Sequence, residues 1–214
     1  DLTASEVGAK VILTDKLVKE QQNNVFTIIG KQLGDAMARK KDTDVHSLYA
    51  TLNGSTTVGA ATKFMKSSNV HGAIAYAKAN NFGSDVYILH HPNAVAYLSK
   101  EAATVAAAAT NAIPDGYSAD LLKNFWSGLR PMNNVPIFED GNLAVDSSDD
   151  ATGVIASKGA MAVLNSVETK TEKQRDASLR ATEIVLTSDY GVFELDDTKG
   201  AGFILDAAAL STSA

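Results

Sequence analysis

Apolar and polar positions follow a helical period over the stretch from Val18 to Arg39. Apolar residues recur three or four positions apart, and charged or amide residues fill the positions between them. This spacing predicts one long amphipathic helix over Val18–Arg39, about 33 Å in length at 1.5 Å per residue. Gly30 and Gly34 lie four residues apart on it and cost about 1 kcal/mol each in helix propensity. That cost is equally consistent with close packing against this flank and with a helix that merely tolerates the two glycines.

Helical and strand periods alternate in the rest of the first two thirds. A turn is expected at Asn53-Gly54, with a loop over Ser55–Ala61 after it. Strands are expected over Val7–Leu13 and Asp85–His90. Helices are expected over Val45–Leu52, Ser67–Ala79, Pro92 to about Thr110, and Leu121–Trp126.

The last third contains short strand-like runs separated by polar turns. Ser188–Gly191 is predicted to be one of these turns. The pattern predicts an antiparallel meander, and the chain as a whole is assigned to the α+β class, with helices first and the sheet last. The runs are Asn142–Val145, Val154–Ala156, Met161–Leu164, Leu179–Thr187, Val192–Leu195 and Ala201–Leu205.

Composition excludes several classes of protein. The 214 residues carry a formal net charge of −6, which argues against broad contact with nucleic-acid phosphates. The chain has no cysteine, which excludes disulfides, thiolate metal sites and cysteine nucleophiles. No apolar run approaches the ~20 residues of a membrane span, so no membrane partner is expected.

Histidines and carboxylates are the only candidates for chemistry. His90 and His91 follow a predicted strand, and with Asp85 they define an enzyme alternative, although side chains of adjacent strand residues point to opposite faces. We therefore favour structural or capping roles for both. An acidic cluster lacks the spacing of a calcium loop and is interpreted as a solvated loop. The residues of this acidic cluster are Glu139, Asp140, Asp146, Asp149 and Asp150. We expect no catalytic residue, no cofactor and no metal.

Charges alternate in sign between Glu168 and Glu183. One interpretation is an exposed, solvated strand or loop, in which each ion pair contributes little. The other is a subunit contact, in which complementary charges determine register and partner. The sequence alone favours neither interpretation. The charged residues of this run are Glu168, Lys170, Glu172, Lys173, Arg175, Asp176, Arg180 and Glu183.

Three stretches, in this order, resemble the major capsid proteins of tailed bacteriophages with the Hong Kong 97 fold. VGAKVILTDKLVKEQQNNVFTIIGKQLGDAMARKKD resembles the strand that leaves the extended loop and enters the spine helix. DVYILHHP, with the helix after it, resembles the core of the axial domain. The segment from Gly153 to Leu205 is similar to the closing pattern of the family, in which an Arg-Asp pair (Arg175-Asp176) precedes a long strand and a Tyr-Gly (Tyr190-Gly191) opens the last hairpin.

The resemblance implies a structural subunit that assembles as pentamers and hexamers into an icosahedral head around weakly contacted double-stranded DNA. It implies assembly in the host bacterial cytoplasm, localisation in the virion, and portal, scaffold or decoration proteins as further partners. It also implies an amino-terminal arm and the outgoing half of the extended loop before Ser5. An encapsulin-like nanocompartment shell is the alternative with the same fold.

The resemblance also implies domain boundaries and contact residues. The expected helix-flanked axial domain comprises residues 67–160, and the expected peripheral domain comprises residues 18–66, with the spine helix, and the strands of 161–195. Residues 1–17 would be the returning part of the extended loop, and 196–214 the C-terminal strand and tail. The subunit-contact candidates are Arg175, Asp176, Arg180, Glu183 and Tyr190.

Overall fold

The computed structural model describes residues 3–20, 24–108 and 135–211. The chain divides into two compact units, one made of Asp1–Val45 and Ala162–Phe193 and the other of His46–Met161 and Glu194–Ala214. The helices are α1 (Asp15–Glu20), α2 (Val25–His46), α3 (Ser67–Ala79) and α4 (Pro92–Ala108), with a 3-10 turn at Asp197–Lys199. The strands are β1 (Ser5–Thr14), β2 (Val58–Phe64), β3 (Val86–His90), β4 (Ile137–Glu139), β5 (Asp150–Ser157), β6 (Met161–Asp176), β7 (Ala181–Glu194) and β8 (Gly200–Asp206).

A three-stranded sheet forms the first unit, with strand order β1–β7–β6. β1 runs antiparallel to β7 from the pair Ser5 and Tyr190 to the pair Thr14 and Ala181. A turn of four residues, 177–180, joins β6 to β7, and so short a connection makes these two strands antiparallel as well. The sheet is antiparallel, but the predicted meander of short consecutive strands is wrong. Two long strands form a hairpin that pairs with β1 from the start of the chain, and β5 and β8 lie in another sheet.

The core of the first unit lies between this sheet and α2. Leu13 of β1 and Ile184 and Leu186 of β7 are buried, and they form one cluster with Leu33 and Met37 of α2. The strand residues share one face because side chains alternate across a strand, and the two helix residues share one face because they are four apart. This packing explains the amphipathic pattern of α2.

The second unit contains a five-stranded mixed sheet of order β2–β8–β5–β3–β4. β5 is antiparallel to both of its neighbours, β3 and β8, whereas β2 pairs parallel with β8 and β4 pairs parallel with β3. Nearly every residue of β5 is buried, as expected of a central strand covered on both faces. α3 contacts β5 and β2, and α4 contacts β2.

The prediction of one helix over Val18–Arg39 is wrong. Two helices are present instead, and Asn24 lies outside both of them. The backbone carbonyl of Asn24 accepts from Thr27 N at 3.1 Å, and its side-chain oxygen accepts from the same N–H at 3.4 Å, which makes it the N-cap of α2. α2 then continues beyond the predicted end, to His46.

Two expectations around the Asn53-Gly54 turn are also wrong. The predicted separate helix Val45–Leu52 is absent, because its first two residues are the end of α2 and the rest form turns. Its helix-like pattern reflects burial, since Tyr49 is 3% and Leu52 0% exposed. The predicted loop Ser55–Ala61 overlaps β2, whose small and polar residues pair along the edge of the sheet.

Two expectations in the last third require correction. Asn142–Val145 contributes only an isolated bridge, between Val145 and Ala151. Ser188–Gly191 is not a turn, because β7 runs through it. The strand accommodates these polar residues because Ser188 is buried with its hydroxyl donating to the Val167 carbonyl at 3.2 Å.

Other expectations are confirmed. α3 has the predicted bounds, β3 lies within the predicted strand Asp85–His90, and the helix that begins at Pro92 is described as far as Ala108. The predicted helix Leu121–Trp126 lies outside the described residues. In the described ranges, no helix combines the length and the apolar character that crossing a membrane requires.

Candidate subunit-contact surface

His90, the strongest candidate for chemistry, is fully buried at the end of β3. Its Nε2–H donates to the Phe203 carbonyl at 3.1 Å, and its Nδ1 accepts from the backbone N–H of His91 at 2.9 Å. A neutral imidazole has one donor and one acceptor, so both are used. Burial lowers the pKa of His90 to about 4. These features make His90 a structural residue.

His91 and Asp85 do not join His90 in a common site. The Nδ1 of His91 accepts from the backbone N–H of Asn93 at 3.2 Å, in the first turn of α4, which is the predicted capping role. Partial burial lowers the pKa of His91. Asp85 lies 3.9 Å from the Lys158 ammonium on the surface. The three groups therefore perform separate tasks.

The acidic cluster organises turns. The Asp146 carboxylate accepts from the backbone N–H groups of Ser148 and Asp150, at 2.8 and 2.9 Å. Asp150 in turn accepts from Thr62 N at 2.6 Å, and Asp140 lies 3.2 Å from His46 Nε2. In the part of the chain that the structure describes, no group of three or more His, Asp or Glu side chains is placed to hold a metal ion.

Arg175 is anchored near the tip of the β6–β7 hairpin. Its guanidinium donates to both carboxylate oxygens of Asp15, the first residue of α1, at 2.5 and 2.8 Å. This bidentate hydrogen bond lowers the pKa of Asp15 and raises that of Arg175. The Arg175 side chain is still 54% exposed, so a large part of it can contact another molecule.

Asp176 and Arg180 hold the tip itself. The Asp176 carboxylate accepts from the hydroxyl and backbone N–H of Ser178, at 2.6 and 2.8 Å, and the hydroxyl bond is the largest cause of its lowered pKa. Arg180 adopts a left-handed backbone conformation, with φ of 48°, and its carbonyl accepts from Asp15 N at 2.9 Å. The turn is therefore fixed at both ends.

Glu183 and Tyr190 are engaged within the first unit. Glu183 lies 2.8 Å from the Lys10 ammonium of β1. Tyr190 is 2% exposed, and its hydroxyl donates to Asp44 at 2.6 Å while Lys41 lies over its ring. Burial raises the pKa of Tyr190, and the bond to Asp44 adds to this effect. The single chain thus leaves little of Tyr190 accessible to a neighbour.

Leu179 was missed by reasoning from the sequence. It stands at the fixed tip, is 57% exposed, and borders a cleft of about 430 Å³ that Asp15, Lys16, Lys19 and Arg180 also line. The available signal was an apolar residue inside a polar turn, between Ser178 and Arg180. The partners Asp15 and Lys10 were not predictable from spacing, because each lies at least 160 residues from the residue that it pairs with, Arg175 or Glu183.

Known proteins resemble this chain over almost its whole length. A family model described as phage capsid protein matches residues 2–202. No curated protein is significantly similar to the sequence.

Solved structures share the fold at low sequence identity. The capsid of Ralstonia phage GP4 superposes with a TM-score of 0.70 at 10% identity, over 99% of this chain and 76% of that one. A structure of Mycobacterium phage Che8 gives 0.66 at 16% identity, over 93% and 70%. The SrpI encapsulin of Synechococcus elongatus PCC 7942 gives 0.59 at 11% identity, over 99% and 78%.

These matches confirm the fold expected from the resemblance, an α+β fold of the Hong Kong 97 type. The encapsulin has the lowest TM-score of the three structures, and the family model is that of a phage protein. Since that model spans most of its length, the chain belongs to the phage capsid protein family and is a structural protein of the bacteriophage capsid.

Proposed function

We propose that this chain is the subunit that assembles as pentamers and hexamers into an icosahedral head enclosing double-stranded DNA. The observation that carries the proposal is the match of the fold to phage capsid structures over 93–99% of the chain. Assembly takes place in the host bacterial cytoplasm, and the subunit contacts the enclosed DNA only weakly, in keeping with its net charge of −6.

The proposal includes no catalytic role. His90 uses both ring nitrogens in hydrogen bonds in the interior, so it is not available as an acid, a base or a ligand, and His91 uses its Nδ1 to cap α4. The domain boundaries expected from the resemblance stay part of the proposal, with portal, scaffold or decoration proteins as further partners.

Particle formation tests the proposed function. The full-length protein, expressed in bacteria and viewed by negative-stain microscopy, should form closed shells tens of nanometres across with five-fold and six-fold clusters of subunits. A folded chain that stays monomeric or dimeric overturns the proposal. Shells that enclose a protein cargo in place of DNA would support the encapsulin-like alternative.

We further propose that the hairpin tip is a subunit contact. The exposed part of Arg175, the left-handed turn at Arg180 and the exposed Leu179 are held in place by Asp15 and Asp176. A rigid turn loses little conformational entropy on binding, and an apolar side chain beside charges suits the centre of a contact.

Leu179→Ser and Arg175→Glu are expected to block shell assembly with the subunit still folded. Leu179 is already more than half exposed, and Arg175 forms a surface ion pair, so each change should lower the free energy of unfolding only slightly. Light scattering measures assembly, and thermal unfolding measures stability.

Leu195→Ser is the matched control for the leucine, because Leu195 is 56% exposed but lies outside the hairpin. It should leave assembly unchanged. For the arginine, the double variant Asp15→Arg with Arg175→Glu restores the internal ion pair in reversed order. If this double variant assembles normally, Arg175 acts only within its own chain, and its contact role is wrong.

A further inference from the structure

β6 is an edge strand, and both of its faces are open over most of its length. It pairs with β7 on one side and has no strand on its other side among the described residues. Between residues 163 and 175 every side chain except the half-buried Val167 is exposed. A long edge strand presents a row of unpaired backbone N–H and C=O groups, which is a template for pairing with another strand.

The two faces of β6 carry different residues. Lys173 lies over the Phe26 ring of α2 at 5.5 Å and Arg175 pairs with Asp15, so odd-numbered side chains point to the helix side. Glu168, Lys170 and Glu172 therefore line the opposite face, because side chains alternate along a strand. In the described part of the chain none of these three has an ion-pair partner.

This alternation of charge is self-complementary in an antiparallel pair of identical strands. When Thr169 lies opposite its counterpart, Glu168 of each copy faces Lys170 of the other, and the central pair is Thr against Thr. Both kinds of cross-strand pair are favourable. A register centred one residue later, on Lys170, would oppose like charges.

We propose that β6 pairs edge to edge with β6 of a second copy across a two-fold axis, with Thr169 at the centre. The inference rests on the proposed function in that it needs assembled copies. Lysine on an edge strand often prevents such pairing, but here Lys170 would face Glu168 of the copy. Here the register centred on Thr169 has no like-charge pair and extends from residue 163 to residue 175. A register centred on Thr171 also avoids like charges but is shorter.

Disulfide trapping tests the pairing, and the chain contains no cysteine of its own. In the proposed register the two copies of residue 169 have Cα atoms about 4.5–5.5 Å apart, within the range of a disulfide. Assembled Thr169→Cys protein, oxidised with diamide, should run mostly as a covalent dimer on non-reducing gels. Thr171→Cys is the control, because its two copies would be about 13 Å apart.

Charge variants in the Thr169→Cys background test the complementarity. Lys170→Glu should abolish the dimer, and Glu168→Lys together with Lys170→Glu should restore it by exchanging the two charges. Normal shells without the Thr169→Cys dimer overturn this inference and leave the proposed function standing, as does a dimer formed by Thr171→Cys instead. Failure of the unsubstituted chain to form shells overturns the proposed function itself.

Discussion

His90 couples stability to pH through a single buried ring. Its pKa of about 4 in the folded chain lies below the ordinary histidine value of 6.5. Between these two pH values the unfolded chain binds a proton at this residue that the folded chain does not. Stability is therefore complete above about pH 6.5 and is lost as the pH falls towards 4.

We expect the wild-type chain to lose up to about 3 kcal/mol of unfolding free energy between pH 6.5 and 4 through this group. His90→Gln should be less stable at pH 7, because it disturbs two internal hydrogen bonds, but should lack this part of the pH dependence. Urea unfolding at a series of pH values measures both. His71→Gln is the control, since His71 is exposed and its ring nitrogen contacts the Ser67 carbonyl of its own helix. Equal pH slopes for wild type and His90→Gln would contradict the assignment.

For single residues, the sequence does not predict which distant residues their side chains contact. The adjacent histidines identified a notable position, and the capping role of His91 follows from the proline helix that begins next to it. The fully buried state of His90 depends on Phe203, 113 residues away. It also depends on Gly153, where an added Cβ would lie 2.5 Å from the His90 ring. Such long-range contacts leave no local pattern.

Periodicity predicted helices and strands well where one face of the element is buried. It failed where a helix cap or the pairing of strands determines where the element begins or ends. The buried face of α2 produced a clear helical pattern, but the break at Asn24 is an N-cap that amide-rich sequence conceals. β7 runs through Ser188–Gly191 because the hydroxyls of Ser188 and Tyr190 find hydrogen-bond partners inside the unit. Turn propensity is local, and pairing with β1 and β6 overrides it.

The two glycines of α2 lie on an open flank of the subunit. An added Cβ at Gly30 or Gly34 would have no neighbour within 4 Å among the described residues. In the isolated chain, Gly30→Ala and Gly34→Ala should therefore each raise the unfolding free energy by about 1 kcal/mol through helix propensity alone. Chemical denaturation of the unassembled subunit measures this gain.

Gly59→Ala provides the contrast to these two variants. Gly59 has a φ of 92°, and an added Cβ would collide with the Ile204 carbonyl, so this change should destabilise the chain. If Gly30→Ala or Gly34→Ala destabilises the free subunit, the flank of α2 is not open. A stabilised subunit that no longer forms shells would identify the flank as a place where another chain passes closely.

At the scale of the whole molecule, the order of elements carried the prediction. No single motif in the chain is diagnostic, but strand, long helix, helix-flanked strand and late sheet occur in the order of the capsid fold. The family model spans residues 2–202, and matched capsids share 10–16% identity, so the order of elements outlasts the identity of residues. Contact residues are different, because they depend on surfaces of other copies.

The acidic net charge of the chain predicts that assembled shells bind DNA weakly. A shell that must fill with and release DNA gains nothing from strong phosphate contacts, and a chain of net charge −6 is poorly suited to make them. We expect a short labelled duplex to bind shells or subunits with a Kd weaker than about 10⁻⁴ M near physiological salt. The fluorescence anisotropy of the duplex should stay at its unbound value over about 50–200 mM salt, with polylysine as the positive control. Micromolar binding with a steep negative slope would mean that a basic face contacts the phosphates directly, and the weak-contact part of the proposed function would then be wrong.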